Sequence, residues 1–173
     1  MLAIFFPLID TEKIALKHAP DIIPSFGNER ILFVDDEAIL VELADSMLKS
    51  LGYHVTSRTS SIEALQAFRA RPYDFDLVIT DMTMPNMRGD NLAIELLKIR
   101  PDIPIIICTG FSEMISEEKA KNLGVRRLIM KPASQAELSK ALRDIFDKAS
   151  DNTSTYCKQL TFTEAALANF IQK

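Results

Sequence analysis

The chain is poor in the residues that build staples and metal clusters. It has two cysteines, Cys108 and Cys157, and no CxxC pair. A disulfide framework and a thiolate zinc site are excluded, and a reducing, cytoplasmic setting is expected. Its two histidines, His18 and His54, stand far apart, which argues against a histidine metal cluster. Tryptophan is absent and glycine occurs only five times, so no glycine-rich phosphate loop is present. No apolar run approaches the ~20 residues of a membrane-spanning helix. The longest apolar start, residues 1–9, lacks a basic n-region, is interrupted by Pro7 and ends at Asp10, unlike a signal peptide. A net charge of −4 lacks the basic footprint of a nucleic-acid binder.

What is present is an ordinary globular composition, 47% apolar and 25% charged, over 173 residues. That length allows one domain with extensions. Short apolar runs alternate with helical periodicity from Ile31 onward. Strands are expected at 31–34, 53–57, 75–80, 103–108 and 125–130. A first helix would place Leu40, Leu43, Ala44, Met47, Leu48 and Leu51 on one face and close at Gly52. A second carries Ile62, Leu65 and Phe68 after Ser60 or Ser61. A third carries Leu92, Leu96 and Leu97, and a fourth runs over 112–122. A fifth, capped by Ser134, turns Leu138, Ala141, Leu142, Ile145 and Phe146 inward. Five βα units whose central strands are apolar on both faces predict a doubly wound, three-layer α/β/α sheet. The expected form is flavodoxin-like, with strand order 2-1-3-4-5.

In such a sheet the ligand site lies beyond the carboxyl ends of the strands. Those ends carry Asp35 and Asp36, Asp81, Thr109 and Lys131. Any one acidic residue there is explained as a helix cap. The convergence of three carboxylates, a hydroxyl and a lysine is not. Carboxylates without His or Cys select a hard cation, Mg²⁺ first and Mn²⁺ next. Asp81, after the central strand, is placed to attack phosphorus. The cation and Lys131 would neutralise the phosphoryl oxygens, and Thr109 would donate a hydrogen bond. Gly110 leaves the approach open.

These residues, in this order, resemble the receiver domain of bacterial two-component response regulators. The segments Ile31-Leu-Phe-Val-Asp-Asp-Glu, Val78-Ile-Thr-Asp-Met-Thr-Met-Pro and Met130-Lys-Pro carry the resemblance. It covers residues 29–149. It implies that Asp81 accepts a phosphoryl group, assisted by Thr109 and Lys131. It implies that Asp36, Asp81 and the backbone carbonyl of Thr83 ligate Mg²⁺, while Asp35 acts through water. It also implies a cis Lys131–Pro132 bond. A histidine kinase or histidine phosphotransfer protein would be the donor and a downstream protein the target. No nucleic-acid partner and no membrane insertion are expected, and a homodimer is left open. The chain would be a signalling phosphoacceptor rather than an enzyme. The sequence departs from the family at Leu128, where an aromatic is usual, and at Ala133, where Phe is common. Thr83 and Phe111 occupy positions that tune dephosphorylation in the family.

Residues 1–28 read as an extension whose start, Ile4-Phe-Phe-Pro-Leu-Ile-Asp, resembles the last strand of a sensor kinase ATP-binding domain. With Lys131-Pro-Ala-Ser134, this suggests the C-terminal receiver of a hybrid kinase. His18 lacks a phosphoacceptor context, so no autophosphorylation from ATP is expected. Residues 150–173 read as a tail with a capping box at Thr161-Phe-Thr-Glu164 and a short helix carrying Leu167, Phe170 and Ile171. Two alternatives are a receiver-like module that binds without phosphorylation and a haloacid-dehalogenase-type phosphohydrolase. The latter normally carries a second acid two residues after its nucleophile, where this chain has Thr83.

Overall fold

The computed structural model describes residues 27–110 and 117–147. The expectations for residues 1–26, including His18 and the kinase-like strand, lie outside the described residues. So do those for Phe111, for 112–116 and for the tail from 148 onward.

Five strands alternate with helices: β1 (Arg30–Val34), α1 (Ala38–Ser50), β2 (His54–Arg58), α2 (Ser61–Ala70), β3 (Leu77–Asp81), α3 (Gly89–Ile99), β4 (Ile105–Thr109), α4 (Glu117–Asn122), β5 (Arg127–Met130) and α5 (135–147). All neighbouring strands pair in parallel, in the order β2-β1-β3-β4-β5, as expected. Alternate strand residues feed two cores, because successive side chains leave a sheet on opposite faces. Leu32, Val34, Val78, Ile105 and Ile107 join the core beneath α2, α3 and α4. Ile31, Phe33, Leu77, Ile79, Ile106 and Cys108 join the core beneath α1 and α5.

The helix ends follow local chemistry. Ser60 Oγ accepts a hydrogen bond from the Glu63 N–H at the start of α2. A full capping box opens α5: Ser134 Oγ accepts from Glu137 N–H, and Glu137 Oε2 accepts from Ser134 N–H. Gly52 closes α1 at φ 91°, a backbone state that favours glycine.

The inward faces of two helices differ from expectation. On α1 the buried residues are Val41, Ala44 and Leu48, whereas Leu43 is 64% exposed and Leu40 and Met47 only half-buried. Apolar residues wrap more of α1 than the sheet can cover, so periodicity alone could not set its rotation. On α2, Ile62 is exposed and the buried set is Ser61, Ala64, Leu65 and Phe68. Among the described residues no helix is long and apolar enough to cross a membrane.

Candidate functional site

The parallel register brings the polar strand ends together. Val34 pairs with Thr80, Asp81 with Cys108, and Thr109 with Met130. Asp35 therefore follows β1, Asp81 and Thr109 are the last residues of β3 and β4, and Lys131 follows β5. Asp35, Asp81 and Thr109 are all buried, at 1%, 7% and 6% exposure.

Lys131 ties the set. Its Nζ lies 2.7 Å from Asp35 Oδ2 and 2.5 Å from Asp81 Oδ1. The remaining carboxylate oxygens are held by backbone. Asp35 Oδ1 accepts from Glu37 N–H at 3.0 Å, and Asp81 Oδ2 accepts from Thr83 N–H at 2.7 Å. Both carboxylates are thus oriented by the chain that follows them. Burial draws the Lys131 pKa down, but hydrogen bonds and charge from Asp35 and Asp81 outweigh it, and the net shift is upward. The ammonium is therefore firmly charged. The neighbouring Cys108 thiol is pushed up to about 12 by burial, which keeps it a neutral wall residue.

Asp36 is exposed beside this pair, and Thr83 is exposed on the loop after β3. Thr109 Oγ1 donates to the Gly110 carbonyl at 3.3 Å. A Cβ at Gly110 would meet nothing within 4 Å among the described residues. The Lys131–Pro132 peptide is cis, as the family resemblance implied.

Two buried carboxylates against one ammonium leave an excess of negative charge, and the donors are all oxygen. That chemistry fits a hard divalent cation. Among the described residues, three acidic side chains are not gathered closely enough to enclose a cation as they stand. The ammonium of Lys131 already bridges two of them, and the third, Asp36, is exposed.

Two supports of the site carry no signal in a single sequence. Gly89 opens α3 in contact with the Asp81 backbone, and its N–H donates to the Met82 carbonyl at 2.9 Å. Thr80 Oγ1 donates to the Asp81 carbonyl at 3.1 Å. Together they hold the end of β3. Leu128 is half-buried and packs against the core under α2, α3 and α4. Ala133 is also half-buried, and packs against the opposite core.

A parallel five-stranded sheet that ends in this acidic pocket defines a class of signalling domain. The family model of the response regulator receiver domain matches residues 31–143. The chain belongs to that family. It is 36% identical over 130 residues to a probable transcriptional regulator of Porphyridium aerugineum, a match covering 73% of this chain and 52% of that protein. It is 33% identical over 123 residues to a two-component response regulator of Arabidopsis thaliana, covering 69% of this chain and 20% of that protein. The chain thus spans about half the length of the first relative and a fifth of the second. Among solved structures, a response regulator receiver domain protein from Clostridium thermocellum is 30% identical with a TM-score of 0.68. That match covers 70% of this chain and 97% of that one. A CheY-like receiver domain protein from Methanospirillum hungatei is 28% identical with a TM-score of 0.65, covering 73% and 99%.

Proposed function

We propose that residues 29–149 form a phosphoacceptor receiver of a two-component phosphorelay, with Asp81 as the residue phosphorylated. The reading rests on one observation above all. Lys131 bridges the buried carboxylates of Asp35 and Asp81 at adjacent strand ends, with Thr109 at the next.

The Thr83 N–H holds Oδ2 of Asp81 and leaves Oδ1, now on Lys131, as the nucleophilic oxygen. A carboxylate oxygen attacks phosphorus of a phosphohistidine, the P–N bond breaks, and the imidazole leaves with the electron pair. The product is an aspartyl phosphate. Lys131 moves its charge from the carboxylate to a phosphoryl oxygen, and the Thr109 hydroxyl donates to another. Asp36, Asp81 and the Thr83 carbonyl would hold Mg²⁺ or Mn²⁺, with Asp35 acting through water. The cation supplies charge neutralisation on the phosphoryl oxygens when bound.

The donor is a histidine kinase or a histidine phosphotransfer protein, and the output is a changed protein-binding surface. The start of the chain, Ile4-Phe-Phe-Pro-Leu-Ile-Asp, together with Lys131-Pro-Ala-Ser134, fits a receiver related to those at the end of hybrid kinases. Incubation with Mg²⁺ and acetyl phosphate followed by intact-mass measurement tests the core of this. Mass should rise by one phosphoryl group, and Asp81→Asn should abolish the rise. Equal labelling of that variant defeats the assignment.

A further inference from the structure

The apolar excess on α1 has no partner among the described residues. Ile39 and Leu43 are 80% and 64% exposed, and Met47 continues their line one further step of four along the helix. Such i, i+4, i+8 spacing makes a ridge on one face. Beside the ridge lies a groove of about 380 Å³, walled by Leu40, Leu43 and Met47 of α1 and by Pro132, Ala133 and Leu138 at the start of α5. The small side chain of Ala133 is part of what leaves it open. Contiguous exposed apolar surface of this kind marks a docking site.

We propose that the C-terminal segment 161–173 of this same chain docks along the α1 ridge and fills the groove between α1 and α5. Three observations favour this occupant. The first is pattern. A helical ridge packs best against another helical stripe, and Thr161-Phe-Thr-Glu164 followed by Leu167, Phe170 and Ile171 supplies one with its own start signal. The apolar stretch at 4–9 offers no polar face and is broken by Pro7.

The second is reach. Leu138 lies in the groove, and α5 runs on to residue 147, about 14 Å further along its axis. Residues 148–160 connect α5 to the segment, and thirteen residues of random coil would span about 20 Å on average. The tether therefore holds the segment near the groove at an effective concentration in the millimolar range.

The third is charge. Glu37, Glu42 and Asp45 line the start and middle of α1, and among the described residues only Asp45 has a salt bridge, to Lys49. A second copy docking α1 against α1 would set these acids against each other. The segment carries one acid, Glu164, and one base, Lys173, and brings no such repulsion.

The test uses the full chain with Cys157→Ser and Asn169→Cys, a nitroxide on the new thiol and ¹⁵N labelling. Cys108 is buried with its thiol pushed to about 12, so it stays unlabelled. A millimolar effective concentration half-saturates a contact whose Kd is about 1 mM, and a docked population of that order is what the nitroxide should report. Amide signals of 39–47 and 133–138 should broaden selectively and recover when the nitroxide is reduced. Leu43→Glu, at an exposed position, should remove the broadening without unfolding the domain. Absence of broadening there would overturn the proposal. Broadening only between separately labelled copies would also overturn it, because the occupant would then be a second molecule. Persistence of the broadening in Leu43→Glu would overturn the ridge as its seat. None of these readouts requires phosphorylation, so failure of the docking and failure of the phosphoacceptor reading are separate results.

Discussion

Gly89, the first residue of α3, lies so close to the Asp81 backbone that a Cβ at position 89 would overlap the Asp81 carbonyl oxygen. The loop from β3 returns here against the strand it left. Gly89→Ala must push α3 or the end of β3 aside. We expect a loss of about 1–3 kcal/mol of stability, typical of overpacking, read by urea unfolding. Phosphorylation by acetyl phosphate should slow as well. Unchanged stability and rate would mean that α3 yields without moving Asp81.

Lys131→Ala leaves two buried carboxylates without their common cation. The cost should be about 3 kcal/mol, the range for breaking a buried ion pair. Adding Asp35→Asn to that variant removes one of the stranded charges and should recover part of the loss. If Mg²⁺ enters the same acidic pocket, it should raise the melting temperature of Lys131→Ala more than that of the unsubstituted chain. Thermal unfolding with and without EDTA measures both effects.

Asp76 gives the acid side a specific contributor. The side-chain hydrogen bond from Arg30, with Nε and Nη2 at 3.0 and 2.9 Å, holds its carboxyl below the usual range. A lowered folded-state pKa contributes stability above the unfolded value, near 4, and loses it as pH falls through the folded value. Asp76→Asn should therefore flatten the decline in melting temperature below about pH 4. A parallel decline in both proteins would show that the pair is neutral in stability.

Arg143 joins three parts of the chain. It donates to Tyr53 Oη at 2.8 Å and to both Glu29 oxygens at 3.0 Å, and its guanidinium lies over the Tyr53 and Phe146 rings at 5.4 and 5.3 Å. Arg143→Ala should cost about 2 kcal/mol from the lost charged hydrogen bonds and ring contacts. A double-mutant cycle with Glu29→Gln should return a coupling of about 1 kcal/mol, and a coupling near zero would assign the loss to the rings.

The strand ends that matter were legible because polar residues interrupt apolar runs there, and Asp35, Asp81, Thr109 and Lys131 stand where the sequence placed them. The strand starts were less legible. Tyr53, Phe75, Ile103 and Val125 are all buried but precede their ladders. Phe75 stacks on Phe68 at 5.9 Å after the 3₁₀ turn Pro72–Asp74. Apolar patterning reports burial, and these residues are buried by packing rather than by pairing. β2, β3 and β4 also run one residue further at their far ends, so Asp81 and Thr109 belong to the ladder itself. The Arg143–Glu29 pair spans 114 positions, and no local pattern could announce it. The rotation of α1 failed for the opposite reason, since it carries more apolar residues than one face needs.

The pairing of Val34 with Thr80, Asp81 with Cys108 and Thr109 with Met130 makes the sheet a ruler for chain length. One residue inserted inside β1, β3 or β4 would turn the terminal side chain of that strand toward the opposite layer of helices. The same residue inserted at 101–102, ahead of buried Ile103 and of the Pro104 carbonyl that accepts from Val78 N–H, would leave every terminal side chain in place. Drift in length is thus confined to the edge of the sheet remote from Asp81, and the acidic edge admits changes of residue but not of count.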